Sequence, residues 1–210
     1  EMGGKNAIIV DDDADLDEAV AGVVKSAFGF AGQKCSACSR VIVLDKIHDA
    51  FCERLKDAVD ALHIGDSARP GVDLGPVVDA EALKKVARYQ AIGATEGTLL
   101  AQAPAPQGGH YAPASVYRDI SGEDQLAQEE VFGPILAVLR ADSLEHAFAL
   151  ANGTRFALTG GFYSRSPLRI EEAKRRFAVG NLYINRTCTG ALVERHPFGG
   201  FKMSGIGGKA

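Results

Sequence analysis

Cysteine is scarce in this chain, with four in 210 residues. That is too few for a disulfide framework, so a reducing compartment, the cytoplasm, is the expectation. Long apolar runs are missing as well, and none approaches the roughly 20 residues of a membrane helix, so no membrane insertion is expected. There is no surplus of basic charge. Against 27 Asp and Glu stand 23 Lys and Arg, a net charge of −4, which lacks the electrostatic footprint of a nucleic-acid binder. No internal repeat or low-complexity tract is present. No Gly-x-Gly-x-x-Gly lies between a strand and a helix, so that dinucleotide fingerprint is absent. What is there, 46% hydrophobic and 24% charged residues, is the composition of a globular protein with material for one core. The chain opens on Glu1 rather than Met and stops at Ala210 in a Gly-rich stretch, and an excised piece of a longer protein is expected.

The hydrophobic pattern alternates between two kinds of segment. Residues 6–10, 41–44, 135–139, 158–163 and 181–184 are short apolar runs of the kind that form buried strands. Between them, apolar residues recur at helical spacing, as in Val20, Val23, Ala27 and in Phe51, Leu55, Val59. Further helices are expected near 80–92, 143–151 and from Pro167 to about Phe177, with two short strands near 98–101 and 111–117. Strands alternating with helices predict an α/β fold, three-layered around a mostly parallel sheet, in one domain. The acidic run from Asp11 to Glu18 reads as a helix start, with Asp15 and Glu18 in capping-box-like spacing. A calcium loop is excluded there, because Leu16 occupies the position that needs glycine.

Four segments carry residues able to do chemistry. Cys35 lies at a turn in Gly32-Gln33-Lys34-Cys35-Ser36, beside a cation, in conditions that lower a thiol pKa below about 8.5. Taken alone it reads first as a small, buried and inert hydrophobe. Cys35 and Cys38 also make a Cys-x-x-Cys, but zinc would need a second pair and a redox motif should open a helix, so no metal is expected. Glu1 precedes Gly3 and Gly4, where a carboxylate can serve as a general base. Glu130-Val131-Phe132-Gly133-Pro134 is a turn whose Glu suits a ribose diol and whose Phe suits a ring. Pro197-Phe198-Gly199-Gly200-Phe201-Lys202-Met203-Ser204-Gly205 is a glycine-dense stretch that, alone, reads as a surface loop.

Together, Glu-x-Gly-Gly-Lys, then Gly-Gln-x-Cys 34 residues on, then Glu-x-Phe-Gly-Pro, then Pro-Phe-Gly-Gly-x-Lys-x-Ser-Gly resemble the aldehyde dehydrogenase superfamily in order and spacing, over essentially the whole chain. Gly180-Asn181-Leu182-Tyr183-Ile184-Asn185-Arg186, followed by Thr189-Gly190-Ala191 and with Ser36 after the nucleophile, is similar to its pyrroline-5-carboxylate (glutamate-γ-semialdehyde) dehydrogenase branch. One departure is His196, where that pattern leads one to expect Gln.

The resemblance implies an enzyme that uses NAD to oxidise a small-molecule aldehyde, L-glutamate γ-semialdehyde. In it Cys35 is the nucleophile and Glu1 the base that activates water. Glu130 and Phe132 hold the nicotinamide ribose and ring. Ser36, Gly190 and Ala191 bind the substrate carboxylate, and Phe198 packs on its aliphatic part. It also implies that the 210 residues are a catalytic domain, with the cofactor domain mostly before Glu1 and an oligomerisation arm partly after Ala210. On that expectation the chain alone is inactive, and its parent is a homo-oligomer or is fused to a proline dehydrogenase. Two alternatives stay open: an aldehyde dehydrogenase of other specificity, and a non-catalytic interaction module that keeps the fold.

Overall fold

The computed structural model describes residues 3–192 and 194–209. In chain order its elements are β1 (Asn6–Val10), α1 (Leu16–Phe28), β2 (Cys38–Leu44), α2 (Asp45–Asp60), α3 (Ala80–Glu96), β3 (Thr98–Ala103) and β4 (Ala114–Arg118). There follow α4 (Gln125–Gln128), β5 (Ile135–Ala141), α5 (Leu144–Asn152), β6 (Phe156–Ala157), β7 (Thr159–Tyr163), α6 (Pro167–Arg176), β8 (Asn181–Ile184), β9 (Phe198–Lys202) and β10 (Gly207–Lys209). A seven-stranded sheet runs in the order β3-β4-β5-β2-β1-β7-β8. Its strands are parallel except for the β3–β4 pair.

Both faces of this sheet are covered, which is why its strands read as unbroken apolar runs rather than as alternation. Ala7, Ile9, Ile42, Ala137 and Leu139 point to one side, where they meet Val86 and Tyr89 of α3, Phe148 of α5 and Ala173 of α6. Their neighbours Ile8, Val10, Val41, Val43 and Val138 point to the other, against Val20 and Val23 of α1 and Phe51, Leu55 and Val59 of α2. The result is the expected three-layer α/β arrangement. Asp15 caps α1, its carboxylate accepting from the N–H groups of Asp17 and Glu18.

Two features differ from the sequence expectation. The glycine-dense stretch around Phe198 is a strand, not a loop: β9 pairs antiparallel with both β6 and β10 in a second, three-stranded sheet. Close approach explains its glycines, since a Cβ on Gly180 would lie 1.8 Å from the Gly199 carbonyl oxygen. The acids Asp11–Asp13, in turn, do more than precede a helix. Arg169 bridges the carboxylates of Asp11 and Asp12, while Asp13 accepts from the Ser164 hydroxyl and the Arg165 N–H. The cluster thus fastens the end of β1 to the β7–α6 connection.

Arg40 of β2 is 1% exposed and serves carbonyls instead of a carboxylate. Its guanidinium donates to Lys5 just before β1 (2.9 Å) and to Leu150 (2.8 Å) and Ala151 (3.0 Å) in the last turn of α5. Burial brings its pKa down to about 10.

Candidate active site

The turn that carries Cys35 is closed by the Ala37 N–H donating to the Lys34 carbonyl (3.0 Å), which sets Cys35 and Ser36 at its two central positions. Its carbonyls face inward. The buried Asn6 side chain donates to Cys35 O and Ala37 O, both at 2.8 Å, and accepts from the Thr159 N–H at 3.0 Å. The Ser36 carbonyl accepts from the Thr159 hydroxyl (3.4 Å) and the Cys188 thiol (3.6 Å). One carboxamide therefore binds the turn to β1 and β7 together. Ahead of the turn, Phe30, Ala31 and Gly32 all adopt left-handed backbone, with φ of 60°, 53° and 69°. Glycine is required at the third, where a Cβ would lie 2.4 Å from the Gly133 carbonyl oxygen.

A second set of residues gathers beside the turn. The Gly4 N–H donates to Glu130 Oε1 at 2.9 Å. Cβ atoms on Gly3 and Gly4 would lie 2.6 Å from Glu130 Oε2 and 2.5 Å from the Cys35 carbonyl oxygen. The two glycines thus let the Glu130 carboxylate approach the Cys35 turn. Phe132 has a left-handed backbone (φ 60°) and remains 43% exposed at the rim. Lys5, next in the chain, is 3% exposed. Burial, and then the charge of Arg40, lower its pKa to about 7, against the opposing pull of Glu130. Glu1 lies outside the described residues.

Ser36, Gly190, Ala191 and Phe198 line one cavity of about 320 Å³, together with Lys34, Leu192 and His196. The segment after β8 reaches the turn by way of Cys188, whose N–H donates to the Ser26 hydroxyl of α1 (3.2 Å). Phe198 is delivered by β9, which Asn181 steadies by donating to the Pro197 carbonyl (2.7 Å). None of the described lining residues is acidic. Asn6 and Lys5 were not singled out for the site from the sequence, and Lys34 was noted only as the cation beside the thiol. The signal for the first two was available, since both are polar residues at the mouth of a strand that is otherwise apolar.

The other thiols sit differently. Cys35 is half-buried, whereas Cys38, Cys52 and Cys188 are buried. Cys52, His48 and Asp49 line up in the order of a nucleophilic triad, with Sγ to Nε2 3.7 Å and Nδ1 to Oδ1 2.9 Å. Yet Cys52 is 3% exposed and burial pushes its thiol up to about 11, so it is inert.

All of these parts stand at the amino ends of the parallel strands: Gly3 and Gly4 before β1, the Cys35 turn before β2, and Glu130 before β5. A half-buried thiol on a fixed turn, a carboxylate close to that turn and an adjoining cavity with no acid among its described lining residues are what a cysteine-dependent enzyme site on an α/β domain would need. The family model described as "Aldehyde dehydrogenase family" matches residues 1–210, and the chain belongs to that family. The 1-pyrroline-5-carboxylate dehydrogenase of Geobacillus kaustophilus is 44% identical over the whole chain, which spans 41% of that protein. Proline utilization A (PutA) from Bdellovibrio bacteriovorus has a solved structure that superposes with a TM-score of 0.97 at 54% identity, covering 100% of this chain and 22% of that one. A Thermus 1-pyrroline-5-carboxylate dehydrogenase solved with bound NAD gives 0.93 at 47%, covering 97% of this chain and 40% of that one.

Two outcomes are expected from this geometry. Iodoacetamide should alkylate Cys35 in the folded protein and spare Cys38, Cys52 and Cys188, while all four react after denaturation. Peptide mapping reads this, and equal labelling of the folded chain would count against Cys35 as the nucleophile. The second outcome concerns Lys5. The unfolded chain keeps this proton to near 10.5 and the folded chain releases it near 7, so the unfolded state binds more protons in that window and stability rises with pH across it. Lys5→Met should then be more stable than wild type near pH 6, by on the order of 5 kcal/mol, with the gap closing toward pH 10. Urea unfolding of the domain at several pH values measures it, and a gap that stays constant with pH would refute a buried titrating lysine.

Proposed function

We propose that the protein containing this chain oxidises L-glutamate γ-semialdehyde, the open form of 1-pyrroline-5-carboxylate, to L-glutamate with NAD, and that these 210 residues are its catalytic domain. The chief support is the convergence of Ser36, Gly190, Ala191 and Phe198 on one cavity beside Cys35. The identity with 1-pyrroline-5-carboxylate dehydrogenases over the whole chain points the same way. Backbone N–H groups of a glycine turn, with Gly190 at φ 88°, and a serine hydroxyl suit a carboxylate.

In this reading the Cys35 thiolate attacks the aldehyde carbon, and the carbonyl electron pair moves to oxygen, where the Cys35 N–H stabilises it. NAD, when bound, would supply the acceptor for the hydride on that carbon. Cys35 is then held as a thioester, and Glu1 takes a proton from the water that attacks it, releasing the thiolate and the product carboxylate. Glu130 and Phe132 fit the nicotinamide end of the cofactor: the carboxylate is an acceptor for ribose hydroxyls, and the exposed ring offers a face to pack on. Ser36 and the Gly190–Ala191 backbone fix the far end of the substrate, which converts binding energy into orientation of the reacting carbon.

The parent is either a separate dehydrogenase or a fusion with a proline dehydrogenase. The second option draws on the likeness to a PutA whose structure is described as bifunctional, at 37% identity and TM-score 0.92.

The deciding experiment gives the parent protein NAD and compares glutamate γ-semialdehyde with an aliphatic aldehyde of similar length. The semialdehyde should be favoured in kcat/KM by about 10- to 100-fold, the worth of a hydrogen-bonded charge, and Ser36→Ala should erode that preference. Equal rates would leave an aldehyde dehydrogenase of other specificity, and no turnover from a folded parent would leave a non-catalytic module. The isolated 210 residues are expected to show no NAD-dependent turnover. Robust activity from them would overturn the division of labour proposed here.

A further inference from the structure

We propose that His196 is a specificity-determining residue whose Nε2–H donates to the carboxylate of the substrate inside the cavity. The proposal rests on the reading of that cavity as a carboxylate site. His196 lines it alongside Ser36, Gly190 and Ala191. Its ring is oriented by its own loop: the Leu192 N–H donates to His196 Nδ1 at 3.0 Å, and the His196 N–H donates back to the Leu192 carbonyl at 3.0 Å. A backbone N–H can only donate, so Nδ1 is the acceptor and the proton of the neutral ring sits on Nε2. The fold thus fixes the tautomer and leaves one N–H donor on a ring that borders the cavity.

The surroundings say what that donor serves. Lys34 is the cation among the described lining residues, and no acid accompanies it, so the cavity offers donors and positive charge. A donor whose ring orientation is set by a second hydrogen bond loses little freedom on binding an anion. Ser36 Oγ, the Gly190 and Ala191 backbone and His196 Nε2 then form a set of donors drawn from two segments far apart in the chain.

The test uses the full-length protein with NAD and three aldehydes: glutamate γ-semialdehyde, 5-oxopentanoate and pentanal, the last without a carboxylate. His196→Asn keeps an acceptor near the Nδ1 position for Leu192 but has no group at Nε2, and His196→Gln places an amide N–H there. The Asn variant is expected to raise KM for both carboxylated aldehydes about fivefold to tenfold, with kcat and the pentanal kinetics unchanged, and the Gln variant to restore KM. Calorimetric titration with glutamate should show the same order of affinities without turnover. If the Asn variant matches wild type while His196→Ala impairs all three aldehydes alike, the ring only closes its loop and the proposal falls. If wild type handles pentanal as well as the carboxylated aldehydes, the carboxylate site itself falls, and this proposal with it.

Discussion

The carboxamide of Asn6 is the interaction on which the site depends. It spends both N–H bonds on the carbonyls of the Cys35 turn and its oxygen on the first N–H of β7. An amide buried without partners is costly, so the three bonds stand or fall as a group. By engaging the turn's carbonyls from below, Asn6 fixes the turn in a single orientation with Ser36 bordering the cavity. A thiol carried on a short turn would otherwise have the looseness of a loop. Here it inherits the rigidity of two adjacent parallel strands.

The site also occupies an unusual edge of its sheet. Doubly wound parallel sheets commonly bind ligands outside the carboxyl ends of their strands. This one gathers its candidate site at the amino ends, where glycines before β1 and a left-handed backbone before β2 and β5 bring three connections close. At the carboxyl end the three aspartates after β1 form the feature that would draw attention, yet Arg169, Ser164 and the Arg165 N–H already engage them. That end is a mechanical joint, and the amino end holds the candidate site.

How far the sequence told this story differs by segment. The seven-stranded sheet and its helices were readable because apolar runs and 3.6-residue periodicity express two-sided burial directly. The second sheet was not. Phe-Gly-Gly-Phe-Lys has too few side chains to alternate, and its strand character comes from Gly180 and Gly199 meeting backbone to backbone. Cys35, Ser36, Glu130, Phe132, Gly190, Ala191 and Phe198 were found as motif residues, and the described fold brings them to one end of the sheet. The scaffolding behind them was harder to see. Asn6 and Lys5 hide in a stretch that scores as buried strand, and only their polarity betrays a purpose. Lys34 and His196 enter the cavity through the path of the chain, which spacing does not reveal.

Arg40 has a consequence for how this domain breathes. Helix ends usually fray first, because their final carbonyls look to water for partners. In α5 the carbonyls of Leu150 and Ala151 are instead held by a guanidinium that also grips Lys5 at the head of β1. Freeing either end deprives a buried cation of part of its acceptors. The two are therefore expected to exchange their amide hydrogens together, the segment leading into β1 opening with the tail of a helix on the sheet's flank.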